Sequence, residues 1–153
     1  MKIEYLVDNM ALADDVAKWI YNEFIKDVRT DLSYEQVLSS VKNCHKSQLP
    51  IGLVAIVDGK CVGTVSITQN DLTCRAYAPW LAALYVDESF RGNKVGEQLI
   101  DSVKNIVKDL GYSEVYLRTE HASNYYRKLG WQFIESCEDT FHRKPDVFKF
   151  ALV

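Results

Sequence analysis

The stretch Arg91-Gly92-Asn93-Lys94-Val95-Gly96 sets two cations and two glycines where an apolar run gives way to a helical pattern. A helix N-terminus exposes unpaired N–H groups and the positive end of its peptide dipoles, so it attracts anions. Glycine removes the side chain where a ligand must approach the backbone. The chemistry this combination supports is the cradling of phosphate groups. A plain strand-to-helix turn with two glycines looks the same, and the segment alone does not separate the two. A nucleotide P-loop is excluded because no Gly-Lys-Ser/Thr follows, and the dinucleotide fingerprint fails on glycine spacing. A second group of polar and aromatic residues runs from Thr119 to Trp131, with Asn124, Tyr125 and Tyr126 ahead of Gly130.

The elements that must position these residues follow from apolar periodicity. Lys2–Val7 reads as a strand. Asn9 is placed to cap a helix running to about Lys26, with Val16, Ile20, Phe24 and Val28 on one face. Ser33 and Gln36 fit a capping box for a second helix that turns Val37, Leu38 and Val41 inward. Residues 51–57, then Asp58-Gly59, then 61–67 read as a hairpin, because Asp-Gly supplies the positive φ of a tight turn. A polar loop, Gln69 to Pro79, precedes the apolar run Trp80–Val86, which suits a strand in mid-sheet. From Val95 to Leu110 the apolar residues follow helical spacing, and Gly111 is placed to end that helix. A strand, the short helix Ala122–Leu129 and two further strands complete the chain. Such alternation gives an α/β or α+β sheet with helices on its faces.

The chain has 153 residues, 48% hydrophobic and 25% charged, which suits one domain with a substantial core. Its formal net charge of −3 argues against a broad nucleic-acid surface but not against a small anionic ligand held locally. No apolar run reaches membrane length, and the N-terminus lacks a signal-peptide pattern, so a cytoplasmic protein without membrane contact is expected. Cys44, Cys61, Cys74 and Cys137 are scattered, without ligand spacing. They read as buried free thiols, and no metal is expected.

Taken together, the two motifs resemble the GNAT superfamily of N-acetyltransferases. That family's signature is an apolar strand, Arg/Gln-x-x-Gly-x-Gly/Ala opening a helix, a strand, then Tyr-x-x-x-Gly-aromatic. Arg91, Val95 and Gly96 match the first part, and Tyr126, Gly130 and Trp131 the second. The match runs from about Ile51 to the end, and the two preceding helices suit the family's variable acceptor-binding part. Two positions depart from the pattern: Lys94 replaces the inner glycine, and Thr119 stands where the family often has an asparagine that meets the pantetheine arm. Lys94 is expected in a right-handed helical conformation, with its side chain pointing outward.

The resemblance implies a mixed, mostly antiparallel sheet of six or seven strands with four flanking helices. It also implies acetyl-CoA as co-substrate. The strand Leu84–Tyr85–Val86 would splay from its neighbour to present backbone groups to pantetheine, with the Val86 N–H facing the developing oxyanion. Arg91, Gly92, Asn93, Lys94, Val95 and Gly96 would hold the pyrophosphate, and Thr119 and Asn124 would line the cofactor path. Tyr126 would be the general acid, since a phenol titrates near 10 and a thiol near 8.5. Packing alone would equally explain Tyr126, and Tyr125 is assigned to the core. Glu23, Asp71 and His121 are candidates for the base, and Glu23, Asp71 and Trp80 for the acceptor site. The acceptor would be a primary amine on a small molecule or a peptide N-terminus. The rival readings are an acyl-CoA binder or sensor without turnover and an interaction module; a homodimer stays open.

Overall fold

Period-two alternation builds the first half of the sheet. The computed structural model describes residues 1–152. In β2 (Ile51–Val57), Ile51, Leu53 and Ala55 face one side while Gly52 and Val54 meet Leu6 and its neighbours on the other. Asp58 and Gly59, at φ 50° and 77°, turn the chain into β3 (Lys60–Thr68), as the Asp-Gly pair predicts. β1 (Lys2–Tyr5) pairs with β2, and β4 (Trp80–Val86) with β3, all antiparallel. β5 (Glu114–Thr119) runs parallel to β4, and β6 (Gln132–Ser136) and β7 (Asp146–Ala151) add antiparallel strands. The seven-stranded order β1-β2-β3-β4-β5-β7-β6 gives the mixed, mostly antiparallel α/β sheet the sequence implied, with β4 in the middle.

Helix α3 (Val95–Asp109) packs the stripe Val95, Leu99, Ile100, Val103 and Val107 against one face. Each such burial contributes about 1.5–3 kcal/mol. Gly111, at φ 96°, ends it as expected: the Tyr112 N–H bonds Val107 O at 3.2 Å and the Gly111 N–H bonds Lys108 O at 3.0 Å. Helix α4 (Ser123–Lys128) lies on the same face, bringing Tyr126 and Trp131 into that core. The opposite face holds α1 (Ala13–Ile20) and α2 (Tyr34–Lys42). The α2 capping box is present, with the Gln36 N–H on Ser33 Oγ at 3.2 Å and the Ser33 N–H on Gln36 Oε1 at 2.8 Å.

The first helix departs from the expected single span. Asn9 makes no side-chain cap; its Nδ2 donates to Glu4 Oε1 and Tyr5 O at 3.0 and 3.1 Å, and its carbonyl accepts the Leu12 N–H at 2.9 Å. A 3₁₀ turn, Met10–Leu12, therefore precedes α1. After Ile20 the helix widens into a π turn, Tyr21–Ile25, closed by the Lys26 N–H on Tyr21 O at 2.8 Å. One extra residue in the turn rotates the helix beyond it, so Phe24 and Val28 leave the core side and line a cavity.

The loop from Gln69 to Pro79 covers the face of the sheet's second half. Tyr77 stacks on Tyr116 with ring centroids 4.8 Å apart, over a cluster of Leu72, Trp80, Cys137 and Val147. Arg75 bonds both Glu135 oxygens at 2.9 and 2.8 Å, and the Tyr77 hydroxyl adds a third bond at 2.6 Å. Cys44, Cys61 and Cys137 are buried free thiols, but Cys74 sits on the outer side of this loop and is exposed, contrary to expectation.

Candidate active site

β4 and β5 meet at one register pair, Trp80 opposite Tyr116, and then part. A bulge in β4 accompanies the parting: Ala83 and Leu84 stand against the single residue Val65 of β3, and Ala83 has φ 52°. The left-handed region costs an alanine about 1–2 kcal/mol. Beyond the bulge, the Asp87 N–H bonds Val62 O at 2.9 Å, so strand alternation points the Val86 peptide groups across the gap. Arg91 Nε donates to Val86 O from that side at 3.0 Å, and the Val86 N–H faces the same gap. The Tyr85 ring packs between Trp19 and the Arg91 guanidinium, each 5.3 Å away.

The turn into α3 is shaped by its own side chains. Asp87 Oδ1 accepts from the Ser89 N–H and hydroxyl at 3.0 and 2.8 Å, and Asn93 Nδ2 donates to Phe90 O at 3.2 Å. The N–H groups of residues 92–97 bond no acceptor among the described residues. Val95 offers its amide alone, since its side chain is buried under α3. A run of free amides beside exposed Arg91 and Lys94 fits a diphosphate. Lys94 corrects the sequence reading: it caps α3 at φ 62°, in the left-handed region, because the chain must reverse there from loop into helix. Tyr125 is a second correction. Adjacent residues on a helix point about 100° apart, so short α4 can bury one of its two tyrosines. Tyr126 is 8% exposed and Tyr125 39%. The Tyr125 hydroxyl instead lies 3.3 Å from where a Cβ would stand on Gly96. It therefore borders the free amides, a neighbour that periodicity could not identify.

A cavity of about 1160 Å³ opens where the strands part, under α1 and α2 and beside the 69–79 loop. Glu23, Asp71, Leu84, Thr119, His121 and Tyr126 all line it. Tyr126 packs edge-on to Trp131 at 6.0 Å. Its hydroxyl bonds nothing among the described residues yet is not sealed from solvent, and burial of the ring pushes the phenol up, keeping it protonated. Ser123 and Ser136 clamp Asp146 at 2.6 and 2.5 Å, fixing the start of α4, while Thr119 Oγ1 accepts the Ala122 N–H at 3.0 Å.

Asp71 projects from a turn in which Asn70 Oδ1 accepts the Leu72 N–H at 2.9 Å. Its carboxylate accepts no hydrogen bond among the described residues. Burial raises it to about 6, against the pull of Arg118 and Arg143. Those arginines are already engaged. Arg118 bonds Asp139 at 2.7 Å and Glu120 at 2.9 Å, and Arg143 reaches the same two carboxylates at 3.0 and 3.3 Å. Burial opposes ionisation of Asp139, yet Arg118 and the Arg143 and Phe141 N–H groups outweigh it and hold the carboxyl well below the usual range. The sequence carried no signal for this network, because its members sit on β5 and on a distant loop.

One expected acceptor-site residue lies elsewhere. Trp80 is fully buried in the core, its Nε1 bonded to Tyr77 O, so it lines no part of the cavity. Asn124 is exposed on α4, its Oδ1 accepting from Arg127 Nη1 at 3.4 Å. Among the described residues no cluster of three or more His, Cys, Asp or Glu could hold a metal, and no helix is long and apolar enough to cross a membrane.

Residues 13–131 match the family model described as "Acetyltransferase (GNAT) family". The curated protein N-acetyltransferase 8B of Homo sapiens is 33% identical over 122 residues, 75% of this chain and 50% of that protein. The chain thus spans about half the length of that relative. An aminoglycoside 6'-N-acetyltransferase solved with coenzyme A has a TM-score of 0.79 at 16% identity, covering 100% of this chain and 98% of that one. The aminoglycoside 6'-N-acetyltransferase from Enterococcus faecium gives 0.76 at 17%, with the same coverage. At these identities the solved structures speak for the fold.

Proposed function

The chain belongs to the GNAT acetyltransferase family, and from that premise we propose that it transfers an acetyl group from acetyl-CoA directly to the primary amine of a small molecule. What supports the reading is one cavity that collects an unbonded Asp71 carboxylate, the Tyr126 hydroxyl and β4 where it leaves β5.

Bound acetyl-CoA supplies a thioester whose carbonyl carbon accepts the amine and whose sulfur leaves. The free amides of residues 92–97, with Arg91 and Lys94, hold the diphosphate. The Val86 N–H donates to the thioester oxygen as it gains negative charge; one such donor contributes about 10²–10³-fold in rate. Asp71, titrating near 6, is ionised at neutral pH, takes a proton from the acceptor ammonium and returns it to solvent before the next turnover. As the C–N bond forms, that nitrogen sheds a second proton to solvent. Tyr126 Oη gives its proton to the departing sulfur and is reprotonated from solvent.

The test is a panel of amines read by release of free CoA thiol. Amine-dependent release with saturable acetyl-CoA binding is expected. Saturable binding without release in the presence of any amine would leave a non-catalytic acyl-CoA binder.

A further inference from the structure

We infer that Tyr125 is a further cofactor-binding residue: its hydroxyl donates to the diphosphate of CoA, and its ring covers the pantetheine arm on the way to Tyr126. The inference rests on the acetyltransferase reading and adds a residue to the donor site. The first observation is where Tyr125 stands. α3 follows β4 and α4 follows β5, so a contact between the two helices crosses the gap where those strands part. Tyr125 makes that contact. Its hydroxyl lies 3.3 Å from where a Cβ would stand on Gly96, and Val86 Cγ2 lies 3.7 Å from the same point. Gly96 is the second residue of α3, within the run of free amides. A side chain there would press on the hydroxyl, so the glycine keeps it beside those amides. On its other side the Tyr125 ring packs edge-on to Tyr126, with centroids 5.2 Å apart. A donor held by its diphosphate at the amides, with its thioester at Tyr126, must pass Tyr125.

The second observation is that this hydroxyl is a spare donor. Tyr125 is exposed, and its hydroxyl bonds nothing among the described residues. Partial burial, then the Glu97 carboxylate, push the phenol up, so it keeps its proton at neutral pH. Glu97 lies in the first turn of α3, where its charge works against the attraction of that helix end for an anion. Donors from outside the helix must offset it, and Tyr125 joins Arg91 and Lys94 in that role. A diphosphate presents charged oxygens that only accept, and a hydrogen bond to a charged oxygen is stronger than one between neutral groups.

Calorimetry on the intact chain compares CoA with ADP, which carries a diphosphate but no pantetheine. Tyr125→Phe keeps the ring and removes the donor, so it should weaken both ligands by about tenfold, the worth of one hydrogen bond to a charged group. Tyr125→Ala also removes the ring, and should weaken CoA further while leaving ADP as in the Phe variant. In the CoA-release assay the loss in Tyr125→Phe should fall on the KM for acetyl-CoA rather than on kcat. The hydroxyl bonds no protein group, so the melting temperature of the ligand-free Phe variant should match that of the wild type. Undiminished CoA affinity in Tyr125→Phe, a loss for CoA with ADP unaffected, a loss confined to kcat, or a fall in melting temperature that accounts for the weaker binding each overturns the inference. Absence of CoA binding to the wild-type protein would instead overturn the acetyltransferase reading.

Discussion

Replacing Asp71 with Asn should make the protein more stable and less active, with a pH dependence that identifies the cause. Burial raises the carboxyl from 3.8 to about 6, so the folded state holds its proton more tightly than the unfolded chain. Ionisation therefore works against folding. The penalty is absent below the unfolded pKa, grows as pH rises through the interval between the two values, and is complete above the folded one. A separation of about two pKa units corresponds to about 3 kcal/mol at pH 8 and about half that at pH 5. Asn keeps the shape and stays neutral, so Asp71→Asn should raise the unfolding free energy by those two amounts. Urea denaturation of both proteins at the two pH values measures it, provided the slope with denaturant is unchanged. Activity should move the other way. The wild-type kcat/KM should fall on an acid limb near pH 6, and the variant should lose about 10²–10⁴-fold in the chemical step. A gain that is the same at both pH values, or a loss of stability at pH 8, would refute the claim that Asp71 is a half-buried, unpaired base.

Tyr126→Phe should leave acetyl-CoA affinity and melting temperature nearly unchanged, because the hydroxyl has no bonding partner among the described residues, while single-turnover acetyl transfer falls about 10²–10⁴-fold; an unchanged rate would leave Tyr126 a packing residue. Lys94→Gly and Lys94→Ala should both weaken acetyl-CoA binding a few-fold at low salt and less at high salt. At φ 62°, however, the Gly variant should be the more stable of the two by about 1 kcal/mol. Equal stability in urea would mean that position 94 is not left-handed. Asp139→Ala should cost about 3–5 kcal/mol by stripping two arginines of a buried partner, and a loss below about 1 kcal/mol would show that Glu120 alone satisfies them.

Local patterns were legible and choices between distant partners were not. The 51–67 hairpin, the Ser33–Gln36 capping box and the Gly111 stop each depend on residues a few positions apart, and each formed as read. The family motifs likewise led to the parting of β4 from β5 and to Tyr126 on the cavity wall. Spacing could not say which of Tyr125 and Tyr126 turns inward, since both fit a helical face and Gly96 across the fold decides it by leaving room for the Tyr125 hydroxyl. The misplacement of Trp80 has the same origin: a strand residue at the mouth of a loop can face either way, and the Tyr77–Tyr116 stack supplies a core to receive it. Asp71 is the deepest instance. In the sequence it is one acid in a polar loop, and its burial depends on Arg75 reaching Glu135, sixty positions away, to press that loop onto the sheet. Cutting that tie with Arg75→Ala, far from the chemistry, should therefore lower the acid limb of the pH–rate profile toward the ordinary carboxylate range by letting water reach Asp71. An acid limb that stays near pH 6 in this variant would mean that something other than the seated loop keeps the carboxyl dry.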